Sequence, residues 1–318
     1  MKTALALLTL WLAAGLATAQ ELPQKTLTLV VGFVAGGGAD TAARIIARKL
    51  GENLKQTVVV ENKPGAGGNL AHQHVASAPA DGSVILLGSV GPLAVAPHMM
   101  KVGYDPLKDL APLTMGVTFP NVLVVNAGLG VKTLAEYIAL AKAKPGKLDY
   151  ASTGPGSASH LAGELFNWRA GVEIVHIPYK GGAQAMQDLL GGQVAAYFST
   201  PSTADPHIAT GKLVPLATTG LERPSFMANV PTVAESGFPG FNATNWYAFV
   251  APGKTPAPIL DRWNGELVKV LNSPEVREEL LKRGLIPAPT TREELGRFIA
   301  SESVVWEKVV RERKITAN

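Results

Sequence analysis

Ser157 and His160 stand three residues apart at the start of an expected helix, close enough to meet across one turn as a nucleophile and its base. That pairing would suit a hydrolase or isomerase using Ser157 and His160. A serine three residues ahead of a histidine at a helix start is, however, usually a cap, and no acidic residue is spaced to orient the imidazole. His72 and His74 lie two apart in another expected helix, which puts them on different faces and argues against a shared metal. The chain contains no cysteine, so a disulfide framework, thiolate metal sites and a cysteine nucleophile are excluded. It also has no Gly-x-Ser-x-Gly elbow, His-Glu-x-x-His pair, Gly-x-x-x-x-Gly-Lys-Ser/Thr loop or Gly-x-Gly-x-x-Gly fingerprint. The expectation is a protein that is not an enzyme, with no catalytic residues, metal or cofactor.

What remains is a set of hydrogen-bond donors. An apolar run from Leu27 to Val34 breaks into Gly36, Gly37 and Gly38, and a helical pattern starts after Asp40 with Thr41. Glycines let the backbone approach a ligand, and the first N–H groups of a helix have no partner inside it, so such a turn can hold a carboxylate. A second glycine loop spans Gly65–Asn69, including Gly67 and Gly68, and Ser89 ends a third strand. Further along come Ser152, Thr153, Gly154, Ser157, Ser159 and His160. Two helix N-termini facing each other suit a ligand with two carboxylates. Each dipole contributes about 0.3–2 kcal/mol and each hydrogen bond to a charged oxygen about 1.5–3 kcal/mol. Several together reach the roughly 8 kcal/mol that micromolar binding needs. Asp40 is expected to cap its helix, because a carboxylate facing the ligand would repel an acid.

The elements that position these donors alternate. Leu27–Val34, Thr57–Glu61 and Val84–Ser89 read as strands, with helical spacing between them at Ala43, Ile46, Ala47, Leu50 and Leu54 and again in the alanine-rich stretch ending near Pro79. That alternation predicts a parallel sheet with right-handed crossovers and ligands beyond the carboxyl ends of its strands. Residues 97–120 read as a long irregular stretch. The alternation then resumes, with strands at Val122–Asn126, Leu148–Thr153, Glu173–Tyr179, Val194–Ser199 and Leu213–Thr218. A capping box is expected at Thr133 and Glu136. The Pro- and Gly-rich segment 224–240 reads as a return crossing, and Ser273 as the cap of a helix opening at Pro274. The plan is α/β and two-lobed, each lobe a mainly parallel sheet flanked by helices. Residues 20–121 plus 224–318 form a discontinuous domain I and 122–223 form domain II.

Met1-Lys2, an apolar run to Ala17 and the Ala17-Thr18-Ala19 end read as a secretory signal peptide over residues 1–19. No later segment is apolar enough to span a membrane, so the mature protein is expected in the periplasm, without a lipid anchor for want of cysteine. The formal charge of +4 becomes +3 once Lys2 is removed. Lys and Arg are scattered and aromatics are only 6% of the chain, which argues against a nucleic-acid partner.

The motifs together resemble the Bug family of periplasmic solute-binding receptors of tripartite tricarboxylate transporters. The resemblance is carried by Val31-Gly32-Phe33-Val34-Ala35-Gly36-Gly37-Gly38-Ala39-Asp40, by Val59 through Asn69, and by Ala80-Asp81-Gly82. Tyr150-Ala151-Ser152, Gly154 through Leu161, Val175 through Gly181, Asp188 through Val194, Gly211-Lys212-Leu213 and Val230 through Glu235 extend it over nearly the whole chain. It implies a periplasmic-binding-protein (Venus flytrap) receptor that captures a di- or tricarboxylate or related acid and delivers it to the permease subunits; the protein is expected to be a monomer. The family's ligand loops map onto Phe33, Ala35, Gly36 and Thr41, onto Gly67–Asn69, and onto Ser152–Ser157 with His160. The chain departs from the family after Phe198, where Ser199 stands at a commonly acidic position and makes the cleft less negative. A receptor that passes ligand status to a signalling partner is the other non-enzymatic reading, since both roles use the closed lobes.

Overall fold

The computed structural model describes residues 22–313 and 315–316, so the expected signal peptide at 1–19 lies outside the described residues. The first sheet begins with β1 (Leu27–Val31), α1 (Gly38–Leu54), β2 (Val58–Asn62), α2 (Asn69–Ala76) and β3 (Val84–Ser89), and β1 pairs in parallel with both β2 and β3. A π-helical turn at Gly91–Val95 leads into the short α3 (Ala96–Met99) and then β4 (Leu110–Pro120). The second sheet is built from β5 (Val122–Asn126), α4 (Leu134–Ala143), β6 (Asp149–Ser152), α5 (Ala158–Ala170), β7 (Val175–Pro178), α6 (Gly182–Leu190), β8 (Ala196–Ser199), α7 (Pro201–Ala209) and β9 (Leu213–Thr218). The chain returns through β10 (Thr244–Pro252), α8 (Ala257–Asn272), α9 (Pro274–Lys282), β11 (Ile286–Pro287) and α10 (Arg292–Arg313).

The strand orders are β11-β4-β10-β3-β1-β2 and β7-β6-β8-β5-β9. This is the expected pair of sheets flanked by helices, with one refinement: each sheet is mixed. Parallel ladders join β1 to β2 and β3, and β6 to β7 and β8, while β10 runs antiparallel to β3 and β4, and β5 antiparallel to β8 and β9. Side chains alternate across β1: Leu27, Leu29 and Val31 enter one core with α1 and α8, and Val30 enters the opposite core with α2 and α10. Each fully buried aliphatic side chain contributes roughly 1.5–3 kcal/mol. Trp263, with no exposed surface, ties α8 to the sheet by donating from Nε1 to the Gly82 carbonyl at 2.9 Å.

Four local readings change. The stretch 97–120 contains an eleven-residue strand, β4, whose residues are buried on both faces between β10 and β11 and so show no alternation of period two. Residues 224–240 pack against the second sheet, where Val233 and Phe241 are fully buried, because the return crossing comes later, at Ala243. There Thr219 N–H donates to Asn121 O at 2.9 Å and Ala243 N–H donates to Thr219 O at 2.8 Å, so the crossing segments lie side by side. Ser273 does not cap through its side chain, since its hydroxyl donates back to Val270 O at 2.8 Å. Finally, α1 starts at Gly38 with Gly37 as its N-cap residue, so Asp40 sits within the first turn of the helix rather than at its cap. The Thr133–Glu136 capping box is formed.

Candidate functional site

The loop before α1 is fastened from below. Asp40 is 4% exposed, and its Oδ2 accepts from Gly36 N–H and Arg44 Nε, each at 2.9 Å. Its Oδ1 accepts from Asn62 Nδ2 at 3.0 Å, and that amide also donates to Phe33 O at 2.9 Å. Burial pushes the Asp40 carboxyl up, but the hydrogen bonds from Arg44, Gly36 and Asn62, with the Arg44 charge, outweigh it and hold it below the ordinary carboxylate range. The carboxylate thus replaces the expected N-cap as the anchor of the turn, pinning its outer lip and the neighbouring β2. The first N–H groups of α1 have no partners inside the helix.

Those N–H groups open on the space between the sheets. Two small cavities of about 20 Å³ each share Phe33, Thr153, Tyr197, Thr200 and Tyr247 in their walls. Gly37, Gly38 and Ala39 belong to the start of α1, Ala158 and Ser159 to the start of α5, Gly182 to the start of α6, and Thr200 is the N-cap residue of α7. Between them the two cavities, which share a wall, are lined by the N-termini of four helices of at least nine residues. Neither wall contains a Lys, Arg, Asp or Glu. The positive ends of the helix dipoles favour an anion there.

Two buried polar groups in the wall lack partners. Ser89 Oγ and Asn121 Nδ2, on residues 4% and 1% exposed, make no hydrogen bond. Trp246 N–H donates to Asn245 Oδ1 at 2.8 Å, and Asn245 Nδ2 reaches Asn121 Oδ1 at 3.5 Å, which assigns the Asn121 carbonyl and leaves its NH₂ uncommitted. Burial raises the Tyr197 and Tyr247 phenols above their ordinary value, so both remain protonated.

The opposing loop between β6 and α5 spends its donors internally. Gly154 N–H donates to Ser152 Oγ at 3.0 Å, Gly156 N–H to His160 Nδ1 at 3.1 Å, and Thr153 N–H to Ser159 Oγ at 2.9 Å. Ser157 is the cap, accepting from His160 N–H at 3.4 Å. The His160 ring is bonded to Gly156 and stacked on His176 with centroids 4.1 Å apart, so Ser157 and His160 do not assemble as nucleophile and base. Burial lowers His160 to about 3, helped by the adjacent His176, and lowers His176 to about 4. Both imidazoles are neutral near pH 7.

Of the residues singled out in the sequence, Phe33, Gly37, Gly38, Ser89, Thr153 and Ser159 line the cavities. Gly67 and Gly154 meet each other at its rim: a β-carbon on Gly67 would collide with the Pro155 carbonyl, and one on Gly154 would stand 2.9 Å from Gly67 N. Gly68 packs on Phe33 and Pro92, and the Asn69 side chain donates to Ala66 O and accepts from Tyr104. Ala35 and Gly36 are exposed on the outer lip, and Thr41 N–H donates to Gly37 O, one turn into α1. Ser152, Ser157 and His160 support the second loop from within. Ser199 has no exposed surface and donates to Thr200 O at 3.0 Å, so it stands behind the wall rather than in it. Asn121, Thr200, Asn245, Tyr197 and Tyr247 line the cavity without having been read as site residues. Thr200 follows the carboxyl end of β8 and could have been found by the strand-end rule; Asn121 and Asn245 sit on crossing segments that carry no local signal.

Among the described residues no group of three or more His, Asp or Glu is placed to hold a metal, and no helix is long and apolar enough to cross a membrane. A family model described as tripartite tricarboxylate transporter family receptor matches residues 42–315. The protein BugT of Bordetella pertussis is 39% identical over 297 residues, covering 93% of this chain and 91% of its own. Among solved structures, R. palustris Rpa4515 with adipate superposes with a TM-score of 0.90 at 34% identity, covering 93% of this chain and 99% of that one. MatC (Rpa3494) from Rhodopseudomonas palustris with bound malate gives 0.86 at 32% identity, covering 91% and 99%.

Proposed function

This chain belongs to the tripartite tricarboxylate transporter receptor family, and on that premise we propose that it captures a small organic acid between its lobes in the periplasm and delivers it to a membrane permease. The observation that carries the reading is the wall itself: four helix N-termini and two buried, unpartnered donors around a space without a charged side chain. Backbone dipoles and neutral donors attract a carboxylate, and the absence of a wall carboxylate disfavours a ligand ammonium group. Adipate and malate in two relatives are acids of this class.

Each cavity of about 20 Å³ has room for about one water, far less than a dicarboxylate. Entry therefore calls for the lobes to part, and the crossing at Asn121, Thr219 and Ala243 is the natural hinge. The two units we propose are residues 22–121 with 244–316, and residues 122–243. With a signal peptide at 1–19, the mature receptor would act as a soluble monomer that presents its closed lobes to the permease.

The test is a thermal-shift panel of adipate, malate, other organic acids, aromatic acids and amino acids on mature protein. At a hundredfold excess over its Kd a true ligand adds about 2.7 kcal/mol of stability, a shift of several degrees. If no anion raises the melting temperature, the receptor reading fails.

A further inference from the structure

His176 lies outside the cavity, yet the cavity's second wall hangs from it. Its Nε2 stands 2.6 Å from Ser152 Oγ, the same oxygen that accepts the Gly154 N–H at 3.0 Å. Its ring is stacked on His160 at 4.1 Å and on Tyr150 at 5.2 Å. His160 in turn accepts the Gly156 N–H at 3.1 Å. Between these two fastenings the chain runs through Gly154 at φ +119° and Gly156 at φ +73°, conformations that no side chain of their own would hold. The result is that Thr153 enters the cavity wall and Pro155 meets Gly67 across the cleft.

We propose that His176 is a positioning residue for ligand capture: through Ser152 it sets the Thr153–Pro155 loop, and so fixes both the second lobe's wall and its closing contact with Gly67. This rests on the reading of the cavity as the ligand site. The polarity of the contact is confined to one ring nitrogen. His176 Nδ1 is buried without a partner, so Nε2 alone does the positioning. Only a neutral imidazole on His160 can accept the Gly156 N–H, and burial keeps it neutral. The titratable groups facing the pair are Tyr150 and, through its hydroxyl at 2.7 Å, Glu164; neither bonds to an imidazole.

Three variants separate this role from packing. His176→Gln places an amide near the Nε2 position, His176→Asn places one near Nδ1, and His176→Phe keeps the stacking without a polar atom. Two quantities are read in each: affinity for adipate and malate by calorimetry, and exchange of the Gly154 and Gly156 amides in ligand-free protein. His176→Phe and His176→Asn are expected to weaken binding about tenfold or more and to speed Gly154 exchange, while His176→Gln stays within about threefold of wild type. Wild-type affinity in His176→Phe, or equal behaviour of His176→Asn and His176→Gln, overturns the positioning role. Wild-type protein that binds no acid of the thermal-shift panel overturns the cavity reading, and the ligand role of His176 with it; where another acid of the panel binds, it replaces adipate and malate in the variants, and unchanged binding there overturns only the ligand role of His176.

Discussion

The two lobes bring loops to one cavity by opposite means. In the first, a buried charge lies under the loop: Asp40 takes Gly36, Arg44 and Asn62 to itself, and the start of α1 lines the cavity. In the second, neutral imidazoles and hydroxyls take up the loop's own N–H groups, and what reaches the cavity is Thr153 and Ser159. The first lobe brings one helix start, that of α1, with no side-chain donor from its loop; the second brings the starts of α5, α6 and α7 with the hydroxyls of Thr153 and Ser159 beside them. A glycine-rich turn before a helix is therefore not an anion site by composition alone. The side chains beneath it decide which way its donors point.

The contact between the two loops is the harshest place to break this arrangement. Gly67 holds φ +64° and faces the Pro155 carbonyl with no room for a β-carbon. Gly67→Val is expected to abolish closure and weaken acid binding by about a hundredfold or more, close to 2.7 kcal/mol. The backbone strain adds roughly 1–3 kcal/mol of destabilisation, readable in denaturant unfolding. Wild-type affinity in Gly67→Val would show that the loops need not meet.

Removing the charge under the first loop comes next. Asp40→Asn retains the shape but replaces charge-assisted hydrogen bonds on a carboxylate that is 4% exposed, at a cost of about 2–3 kcal/mol. Affinity should fall about tenfold as the α1 turn loosens, and calorimetry with denaturant unfolding reads both. If stability falls and affinity does not, Asp40 only holds β2 to α1.

Acid acts on the stability of the fold before it reaches either fastening. The histidines have lowered folded values, about 4 for His72 and His176 and about 3 for His160, against an unfolded value near 6.5. As pH falls below 6.5 the unfolded chain takes up protons that the folded chain refuses, so stability declines until the folded values are reached. For fully buried His72 and His160 the slope approaches about 3 kcal/mol per pH unit, with His176 acting in the same direction. Asp40 works the other way: its depressed carboxyl contributes above its unfolded value near 4 and loses that contribution only as pH falls below it. In the folded protein the Gly154 and Gly156 amides should hold their shifts between pH 6.5 and about 4.5 while the stability read by denaturant unfolding declines, because His176 takes up a proton only at about 4 and His160 at about 3. A shift of those amides across that range, with the protein still folded, would show that the imidazoles are not held neutral by burial.

How much of this was legible in the sequence follows from the range of the interactions. The β1 loop could be read because a β-branched run, three glycines and a helical pattern are all local, and so could the order of sheets and helices. Asp40 was read as a cap because its bonds to Asn62 and Arg44 depend on where β2 falls. β4 was unreadable for the same reason that it is central: burial on both faces erases the alternation that marks a strand. Asn121 and Tyr247 reach the cavity only after the chain has crossed between sheets and come back, so no spacing announces them. His176 was visible only inside a stretch of family resemblance, because its partner Ser152 is 24 residues away on the neighbouring strand.

The finest test concerns a single oxygen. Ser89 Oγ is buried in the wall without a hydrogen bond, a state that costs the ligand-free protein roughly 1–3 kcal/mol relative to a satisfied hydroxyl. Ser89→Ala removes the oxygen and its unmet demand together, so the ligand-free melting temperature should hold steady or rise by a degree or two. Acid binding should weaken about three- to tenfold, because one donor to the ligand is gone. Opposite signs in the two measurements are what a group reserved for a ligand produces. A residue serving only the fold would lose stability and leave affinity alone, and that outcome would take Ser89 out of the site while leaving the α1 dipole and the Asn121 amide in it.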